Sequence, residues 1–404
     1  MFRILKKDDA TRARVGILET PHGAVETPAY VVVGTHAKVR ALDADDLKNT
    51  GIQLIIANTY HLWQTLGEEG LKVFPGLHAA MQWNGPLMTD SGGFQIFSMG
   101  AAREHGTSKV AEPETPAATS GHTNILENVG VSFLGESTGK GIVTVTDKGV
   151  VFSENGRRQW LDAEKSIHIQ EQLGADIIFA FDEPTSPRHD YAYTKQSLTR
   201  THGWAARSLV ARKSTQLLYG IVQGGSFEDL RRESARFIAS LPFDGIALGG
   251  SYSNSFGSTR EQNIREVAWV APFLPEDKPR HLLGIGLIPD IFAGVSAGID
   301  TFDCVVPTRE ARHGAIWTER GRIDIKKGAY RDDKTVLDET CACFVCAEMK
   351  TEKGTLHLLF KEKNYKAGRL ATIHNVSFFN LLMSRIRRAV REGTFSELRA
   401  RYAP

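Results

Sequence analysis

The sequence predicts an α/β fold of the (β/α)8 barrel (TIM barrel) class. Eight short apolar runs recur along the chain, and most are separated by helix-like stretches such as residues 163–174 and 226–241. The runs lie at residues 29–36, 54–60, 86–94, 176–183, 217–225, 245–251, 281–286 and 301–307. Buried parallel strands read as continuous apolar runs, and eight of them alternating with helices are typical of this barrel. A doubly wound open sheet is the alternative.

Composition limits the class of protein further. The chain has 404 residues, 41% of them hydrophobic, which is enough for one large α/β domain with an appendage. It has no apolar run of about 18 residues, so no membrane span is expected. The N-terminus lacks an apolar signal core, which predicts a cytoplasmic protein. The net charge is only +2, so any nucleic-acid surface must be local.

Two segments interrupt the barrel pattern. Residues 101–140 are rich in Gly, Ser, Thr, Pro and Glu, which predicts an exposed insertion, and residues 141–161 alternate in the manner of β-hairpins. Residues 321–404 contain clustered cysteines and a final helix at 375–393. We therefore divide the chain into a catalytic barrel, residues 1–320, and a metal-binding subdomain with a C-terminal helix, residues 321–404.

The stretch GIDTFDCVVPTREARHG, residues 298–314, carries the first candidate for chemistry. Its apolar run predicts a strand that continues through Val305 and Val306 and ends at Pro307. Asp303 is the acidic residue within this strand, and two arginines follow it. A carboxylate on a rigid element with cations beyond it suits a covalent or acid–base step on a phosphate-bearing substrate.

A second carboxylate, Asp90, lies in TDSGGFQ at another strand end. Gly92 and Gly93 allow the backbone to approach a ligand, and Phe94 offers a face on which a planar base can stack. Asp90 and Asp303 form a candidate pair of one nucleophile and one proton shuttle. A turn aspartate that caps the next helix is the alternative for Asp90.

Three further strand ends carry groups that can read a purine. Asp182 can accept from ring and amino N–H groups, Gln223 can both donate and accept, and Gly250 offers a bare N–H. Together they match the polar edges of guanine. A salt bridge or helix cap is the alternative for Asp182, and turn chemistry is the alternative for the other two.

The cysteines predict a metal site. Cys341, Cys343 and Cys346 form a C-x-C-x2-C cluster, and three thiolates with one imidazole make a closed tetrahedral zinc site of the structural type. His374 and His357 are both candidates for the fourth ligand. Cys304 stands apart and is predicted to pack in the core.

These motifs resemble the tRNA-guanine transglycosylases over most of the chain. The matching stretches include ANTYHL (57–62), TDSGGFQIFS (89–98), FDE (181–183), YGIVQGG (219–225), GIALGG (245–250), LLGIG (282–286), residues 298–314, the cysteine cluster and TIHN (372–375). The resemblance implies a barrel with a zinc-bearing insertion, no redox cofactor and a homodimer. The implied reaction exchanges the wobble guanine of tRNAs with a GUN anticodon (Asp, Asn, His and Tyr tRNAs) for a 7-deazaguanine.

The resemblance also implies roles for individual residues. Asp303 is the implied nucleophile, Asp90 the general acid/base, and TIHN selects His374 as the fourth zinc ligand. The implied base-binding residues are Asp90, Ser91, Gly92, Gly93, Phe94, Asp182, Gln223, Gly250 and Leu283. The implied RNA-binding residues are Gly284, Ile285, Gly286, Leu287, Ile288, Pro289, Asp290, Thr308, Arg309, Glu310, Ala311 and Arg312.

Two departures from the family pattern concern the incoming base. The motif FDE (181–183) is followed by Pro184-Thr185-Ser186, where the bacterial pattern has Cys-Thr-Pro. The glycine pair at 249–250 is followed by SYSNSFGST (251–259), where the bacterial pattern has Leu-Ala-Val-Gly-Glu. Aminomethyl-deazaguanine (preQ1) is the first expectation, with queuine and the cyano precursor preQ0 left open. The rival functions are a two-carboxylate glycoside hydrolase, a non-catalytic RNA-binding relative and a relative that acts on DNA.

Overall fold

The computed structural model describes residues 1–104, 143–154, 156–249 and 260–402. The strands in chain order are β1 Phe2–Lys7, β2 Arg14–Thr20, β3 Gly23–Thr27, β4 Ala29–Val33, β5 Leu54–Ala57, β6 Leu87–Thr89, β7 Val143–Thr146, β8 Gly149–Glu154, β9 Arg157–Leu161, β10 Ile177–Phe179, β11 Leu217–Val222, β12 Gly245–Leu248, β13 Arg280–Leu282, β14 Thr301–Cys304, β15 Ala315–Thr318 and β16 Gly321–Asp324. The α-helices are α1 Ala44–Lys48, α2 Thr59–Val73, α3 Leu77–Met81, α4 Gly93–Glu104, α5 Ala163–Leu173, α6 Tyr191–Ala211, α7 Glu228–Ser240, α8 Arg260–Val270, α9 Ile288–Ser296, α10 Val306–Arg312, α11 Lys353–Lys361, α12 Tyr365–Glu392 and α13 Phe395–Tyr402. The predicted insertion from residue 105 onward, Gly250 and the loop at 251–259 lie outside the described residues.

Eight parallel strands close into a barrel in the order β4-β5-β6-β10-β11-β12-β13-β14, and β14 pairs again with β4. Each of the eight predicted apolar runs overlaps one of these strands, and only β13 extends beyond its run, by one residue at Arg280. The (β/α)8 prediction is therefore confirmed, and the open-sheet alternative is wrong because the sheet has no free edge. Among the described helices, none is long and apolar enough to cross a membrane.

The strands are apolar on both faces because each face is covered. In β4, Ala29 and Val31 join the cluster inside the barrel, whereas Tyr30 and Val32 join the larger cluster beneath the surrounding helices. Strand side chains alternate between the two sides of the sheet, so neither side of this strand meets water. This double burial explains why the strands could be recognised as continuous runs.

An antiparallel sheet of β1, β2 and β3 covers the N-terminal end of the barrel. Leu18 and Val25 of this sheet pack into the interior cluster. Arg14 makes two hydrogen bonds to the carboxylate of Asp300, at 2.9 and 2.6 Å, and both side chains are buried. The loops that carry the candidate site lie at the opposite end of the barrel, where the parallel strands have their C-terminal ends.

The C-terminal part of the chain returns to the barrel through α12. Asn380 Nδ2 donates to the Thr50 carbonyl at 3.0 Å, and Arg387 Nη1 donates to the Pro28 carbonyl at 2.8 Å. The predicted final helix at 375–393 was too short: α12 begins at Tyr365, and α13 follows it. The division at residue 320 stays a prediction, and β15 and β16 pair across it.

The segment after Asp303 also differs from the prediction. The strand β14 ends at Cys304, and α10 begins at Val306 with Pro307 in its first turn. Proline is well suited to that position because its missing N–H would have no partner there and its φ is already helical. The extension of the strand through Val305 and Val306 was therefore wrong. The predicted hairpins are present as the antiparallel sheet of β7, β8 and β9.

Candidate active site

The polar residues that follow the barrel strands lie at one rim. Asp90 follows β6, Asp182 follows β10 and Gln223 follows β11. Asp303 is the last residue but one of β14. Because the strands are parallel and closed into a ring, their carboxyl ends meet at the same end of the barrel. The fold thus brings four distant parts of the sequence together.

Asp90 is held by three donors, which come from Asn58 after β5, from Thr59 at the start of α2 and from its own turn. Asn58 Nδ2 donates to Oδ2 at 2.5 Å, while the Thr59 and Gly92 amides donate to Oδ1 at 2.8 and 3.2 Å. Burial raises the pKa of Asp90 to about 7, against the effect of those two amides, and the charge of Asp303 adds to the rise. A carboxyl group with this pKa can give and take a proton near neutral pH.

Asp303 is fixed by two donors on one oxygen. His281 Nε2 lies 3.1 Å from Oδ1, and the Gly284 amide donates to the same oxygen at 2.8 Å. The Asp303 side chain is 14% exposed. Within the described part of the chain, Oδ2 has no hydrogen-bond partner.

Asp182 forms the centre of a second polar group. Ser91 Oγ donates to Oδ1 at 2.8 Å, and Gln223 Nε2 donates to Oδ2 at 2.6 Å. All three side chains are buried, and burial raises the pKa of Asp182 to about 6 despite these hydrogen bonds. Gln223 Oε1 is buried without a partner among the described residues. An unsatisfied buried acceptor beside a carboxylate is suited to a ligand that brings its own donors.

The glycines of TDSGGFQ are required by this geometry. Gly92 has a φ of +78°, in the left-handed region that favours glycine. A Cβ on Gly93 would lie 2.8 Å from the Asp182 carbonyl oxygen. The backbone angle of Gly92 and the close approach at Gly93 therefore explain why two glycines follow Asp90 and Ser91. Phe94 and Leu283 are partly buried, and their predicted stacking role stays a prediction.

Arg231 of α7 was missed in the sequence. Its Nε donates to the Gly225 carbonyl at 2.7 Å and its Nη2 donates to the Gly249 carbonyl at 2.8 Å. It is fully buried and forms an ion pair with Glu266 at 3.2 Å. One guanidinium therefore ties the turn that carries Gln223 to the turn after β12. The neighbouring Arg232 pairs with Glu228 on the surface, and the sequence alone does not distinguish the two arginines.

The two predicted RNA-binding segments lie on this rim as the loop and first turn of α9 and as α10. Much of their side-chain surface is used for packing. The buried members are Ile285, Gly286, Ile288, Asp290, Thr308 and Ala311, whereas Gly284, Leu287, Pro289, Arg309, Glu310 and Arg312 are accessible at least in part. Glu310 accepts from Trp317 Nε1 at 2.8 Å and from Arg322 Nε at 3.0 Å.

Arg312 carries an unmet hydrogen-bonding group. Its Nη1 is buried and has no partner among the described residues. Burial, together with the nearby charges of Arg40 and Arg309, lowers its pKa to about 10. A cluster of guanidinium groups with one unmet donor is favourable for an anion such as a phosphate.

Cys341, Cys343, Cys346 and His374 come together as a buried cluster that could hold a metal ion, with all four ligand atoms within 4.8 Å of one another. His374 Nε2 lies 2.7 Å from the Trp317 carbonyl, which fixes the hydrogen on Nε2 and leaves the Nδ1 lone pair free to bind a metal ion beside the thiolates. His357 lies elsewhere, with Nδ1 2.9 Å from the Ile325 carbonyl. Cys304 is partly buried against the core, in agreement with the prediction.

A second group, His22, His78 and Asp176, lies at the opposite end of the barrel, before β10. Asp176 accepts from the Leu87 amide at 2.8 Å and lies 2.7 Å from His22 Nδ1. The two imidazole rings are stacked at 3.6 Å with planes only 22° apart. Their in-plane lone pairs run nearly parallel instead of converging, so this arrangement is that of a hydrogen-bonded structural cluster.

The fold and the rim together define a (β/α)8 protein with two carboxylates and a carboxylate–amide pocket at one end and a thiol-rich cluster near the C-terminus. The family described as queuine tRNA-ribosyltransferase matches residues 8–117 and 118–404. A relative from Archaeoglobus fulgidus is 43% identical over 411 residues, covering 98% of each chain.

Further relatives carry the same family name. The queuine tRNA-ribosyltransferase of Caldanaerobacter subterraneus is 38% identical, with 99% of this chain and 96% of the relative covered. That of Geobacillus kaustophilus is 40% identical, with 99% and 95% covered. The chain belongs to the queuine tRNA-ribosyltransferase family.

Proposed function

We propose that this protein is a tRNA-guanine transglycosylase, a pentosyltransferase that exchanges the wobble guanine (position 34) of GUN-anticodon tRNAs for a 7-deazaguanine in queuosine modification. The observation that carries the proposal is the rim pocket of a chain of this family, in which Asp90 lies within the electrostatic reach of Asp303 and its neighbour Ser91 binds the Asp182–Gln223 pair. The pocket offers acceptors to a guanine edge and a carboxylate to a sugar.

Asp182 and Gln223 would select the base. Guanine presents a ring N–H and an amino group on one edge, and the buried Asp182 carboxylate is an acceptor for both. Gln223 adds a donor and an unpaired acceptor, Oε1, to the same pocket. Ser91 and Gly93 would hold this pair in place, Gly250 would add an N–H, and Phe94 and Leu283 would enclose the ring.

The first half of the exchange would use Asp303 as nucleophile and Asp90 as acid. An oxygen of Asp303 forms a bond to ribose C1′, the bond from C1′ to guanine N9 breaks, and its electron pair leaves with the base. Asp90, with a pKa of about 7, supplies a proton to the departing guanine. The product is free guanine and a tRNA joined covalently to Asp303.

The second half reverses these roles with a different base. The Asp90 carboxylate takes the N9 proton of the incoming 7-deazaguanine, and N9 attacks C1′. The bond between Asp303 and C1′ breaks, and its electron pair returns to the carboxylate. No redox or phosphate co-reactant is consumed, because one glycosidic bond replaces another.

The target nucleotide must leave its stack to reach C1′, at a cost of a few kcal/mol. Contacts with the neighbouring phosphates would offset this cost. We expect these contacts to come from the Gly284 loop, which hydrogen-bonds to Asp303, and from the partly accessible cations Arg309 and Arg312 of the helix that follows β14. RNA binding by these two segments rests on this position and on the unmet donor of Arg312.

The cysteine cluster would hold one structural zinc ion. Three thiolates and His374 Nδ1 form a complete tetrahedral ligand set that leaves no position for a substrate, so the ion would stabilise the C-terminal region and take no part in the exchange. We also propose that the protein acts in the cytoplasm as a homodimer.

The test is incorporation of radiolabelled guanine into unmodified tRNA of the GUN class. Incorporation should occur with the wild-type chain, fail with Asp303→Ala and fail with a tRNA whose wobble base is not guanine. The wild-type chain should also form a covalent tRNA adduct that survives on denaturing gels. An adduct that persists in Asp303→Ala would refute the assignment of the nucleophile.

The base is identified by competition. preQ1, preQ0 and queuine are added in parallel, and the strongest competitor is the base that the protein incorporates; we expect preQ1. Labelling of a DNA duplex instead of tRNA would favour a DNA-directed relative, and release of sugar from oligosaccharides would favour a glycoside hydrolase. Tight tRNA binding without any exchange would indicate a non-catalytic relative.

A further inference from the structure

We infer that His281 is a positioning residue that selects which oxygen of Asp303 attacks the substrate. This inference rests on the proposed function, because it concerns the nucleophile of that reaction. The starting observation is the register of the last two barrel strands. His281 of β13 pairs with Thr301 of β14, and Asp303 lies two residues further along the same face.

The three side chains form one hydrogen-bonded row inside the barrel. His281 Nδ1 lies 2.9 Å from Thr301 Oγ1, and His281 Nε2 lies 3.1 Å from Asp303 Oδ1. The His281 side chain is fully buried, and its ring lies 5.5 Å from that of Phe179. Both imidazole nitrogens therefore have partners, and these two contacts hold the buried ring in one orientation.

The partners decide the tautomer. An ionised carboxylate can only accept, so the hydrogen of a neutral His281 must be on Nε2 and point at Asp303. Nδ1 is then an acceptor, and the Thr301 hydroxyl, which can donate, supplies its hydrogen. Thr301 thus fixes the tautomer that His281 needs in order to donate to Asp303.

This row leaves the two oxygens of Asp303 unequal. Oδ1 receives the His281 Nε2–H and the Gly284 amide at 2.8 Å, the latter from a glycine with a φ of +72°. Two donors fix the plane of the carboxylate and withdraw charge from Oδ1. Among the described residues nothing donates to Oδ2, which makes Oδ2 the attacking oxygen. Correct placement of such an atom is worth roughly a hundredfold in rate per ångström.

A histidine that merely fills the core would stabilise the protein without affecting this step. The two cases differ in what they change. A positioning role predicts a slower formation of the covalent adduct at unchanged tRNA affinity. A packing role predicts a lower melting temperature and a loss of tRNA binding in proportion to the loss of rate.

The test measures single-turnover formation of the covalent tRNA adduct on denaturing gels, together with tRNA affinity by filter binding. His281→Leu should slow adduct formation roughly 10- to 100-fold with tRNA affinity kept within about twofold. His281→Gln, which keeps a side-chain donor, should recover most of the rate. His357→Leu is the matched control, a buried histidine bonded to a backbone carbonyl outside the site, and should leave the rate unchanged.

Thr301→Val separates the tautomer argument from general packing because it keeps the shape of the side chain and removes the hydroxyl. It should slow adduct formation by roughly threefold to tenfold in the wild-type background and have no effect in His281→Leu, since coupled residues are non-additive. Equal losses in both backgrounds would overturn the inference, as would an unchanged rate in His281→Leu.

Other outcomes remain decisive. If His281→Leu does not fold, the test depends on Thr301→Val and His281→Gln. The inference is then overturned if Thr301→Val forms the adduct as fast as the wild-type chain. It is also overturned if a folded His281→Gln forms the adduct much more slowly than the wild-type chain. If the wild-type chain itself forms no adduct with any GUN tRNA, the proposed function fails, which is a different result from wild-type and His281→Leu chains that react equally fast.

Discussion

The Asp90 carboxyl group should make the stability of the native protein depend on pH. Its pKa is raised from 3.8 to about 7, chiefly by burial, against the opposing amides of Thr59 and Gly92 and with a contribution from the charge of Asp303. Between these two pH values the native state keeps a proton that the unfolded chain has lost. The stability contributed by this group is therefore fully present below pH 3.8 and is lost as the pH rises through about 7.

The size of the effect follows from the pKa difference. A shift of about three units corresponds to about 4 kcal/mol when the whole range is integrated. Restricted to the interval from about pH 5 to about pH 8.5, the same relation gives about 3 kcal/mol. The pocket leaves Asp90 partly accessible to solvent, which screens its charge, so we expect about 2 kcal/mol in this interval.

The perturbation is Asp90→Asn, which keeps the shape of the side chain and removes its titration. Urea unfolding of the wild-type chain and the variant at several pH values gives the difference in their free energies of unfolding. Asp90→Asn should become more stable relative to the wild-type chain as the pH rises, by the amount given above. Asp45→Asn removes a charge from a side chain that is 88% exposed, and its difference should stay nearly constant.

The slope of that difference decides the outcome. If the difference between wild type and Asp90→Asn is the same at every pH, the raised pKa is refuted and Asp90 would be ionised throughout the neutral range. It could then accept a proton from an incoming base but could not protonate the departing guanine. A difference that changes in the opposite direction would mean that hydrogen bonding dominates over burial.

Two further predictions concern regions away from the pocket. Cys346→Ser should lower the zinc content, measured by atomic emission, from one ion per chain towards none and expose the region after residue 320 to proteolysis, whereas His357→Ala should leave the zinc content unchanged. Asp300→Asn should destabilise the protein by about 3–5 kcal/mol in thermal unfolding because it leaves the buried Arg14 guanidinium without its counter-charge. Glu69→Gln, in an exposed pair, should change stability by less than about 1 kcal/mol, and a similar loss in both variants would contradict the argument.

The barrel could be predicted from the sequence because its strands are buried on both sides. Every predicted run overlapped a barrel strand, and the polar residues Asp90, Asp182, Gln223 and Asp303 appeared at the rim. The cysteine spacing similarly predicted a cluster that the structure brings together with His374. These features could be predicted because each depends on a local pattern in the sequence: a continuous apolar run, a polar residue at its end, or three thiols within six positions.

The α10 helix could not be predicted in this way. Val305 and Val306 favour a strand by their β-branched side chains, but helix propensities differ by less than about 1 kcal/mol per residue. Burial of Val306 against the core and the first-turn position of Pro307 outweigh that preference. Arg309 and Arg312 therefore lie on a helix that directly follows the strand of Asp303, and not on a continuation of that strand.

Residues that act through their contacts also escaped prediction. His281 begins an apolar run and reads as a core histidine, and its meaning depends on the pairing of β13 with β14. Arg231 is one of two adjacent arginines on an amphipathic helix, and only the packing of α7 shows that it is the buried one. In both cases the sequence shows a polar residue on an apolar face, but the residues that it contacts are distant in the sequence.

The two carboxylates that we propose as catalytic, Asp90 and Asp303, differ in their surroundings although they are the same residue type. Asp90 is enclosed by its own turn and the loop after β5, and the resulting pKa of about 7 suits proton transfer in both directions. Asp303 faces the pocket with one oxygen fixed by two donors and the other without a hydrogen bond in the described structure. If the charge of Asp303 helps to raise the pKa of Asp90, then covalent attachment of Asp303 to the ribose removes that charge. The pKa of Asp90 should then fall as the adduct forms, which favours release of its proton to the guanine at the step that requires it.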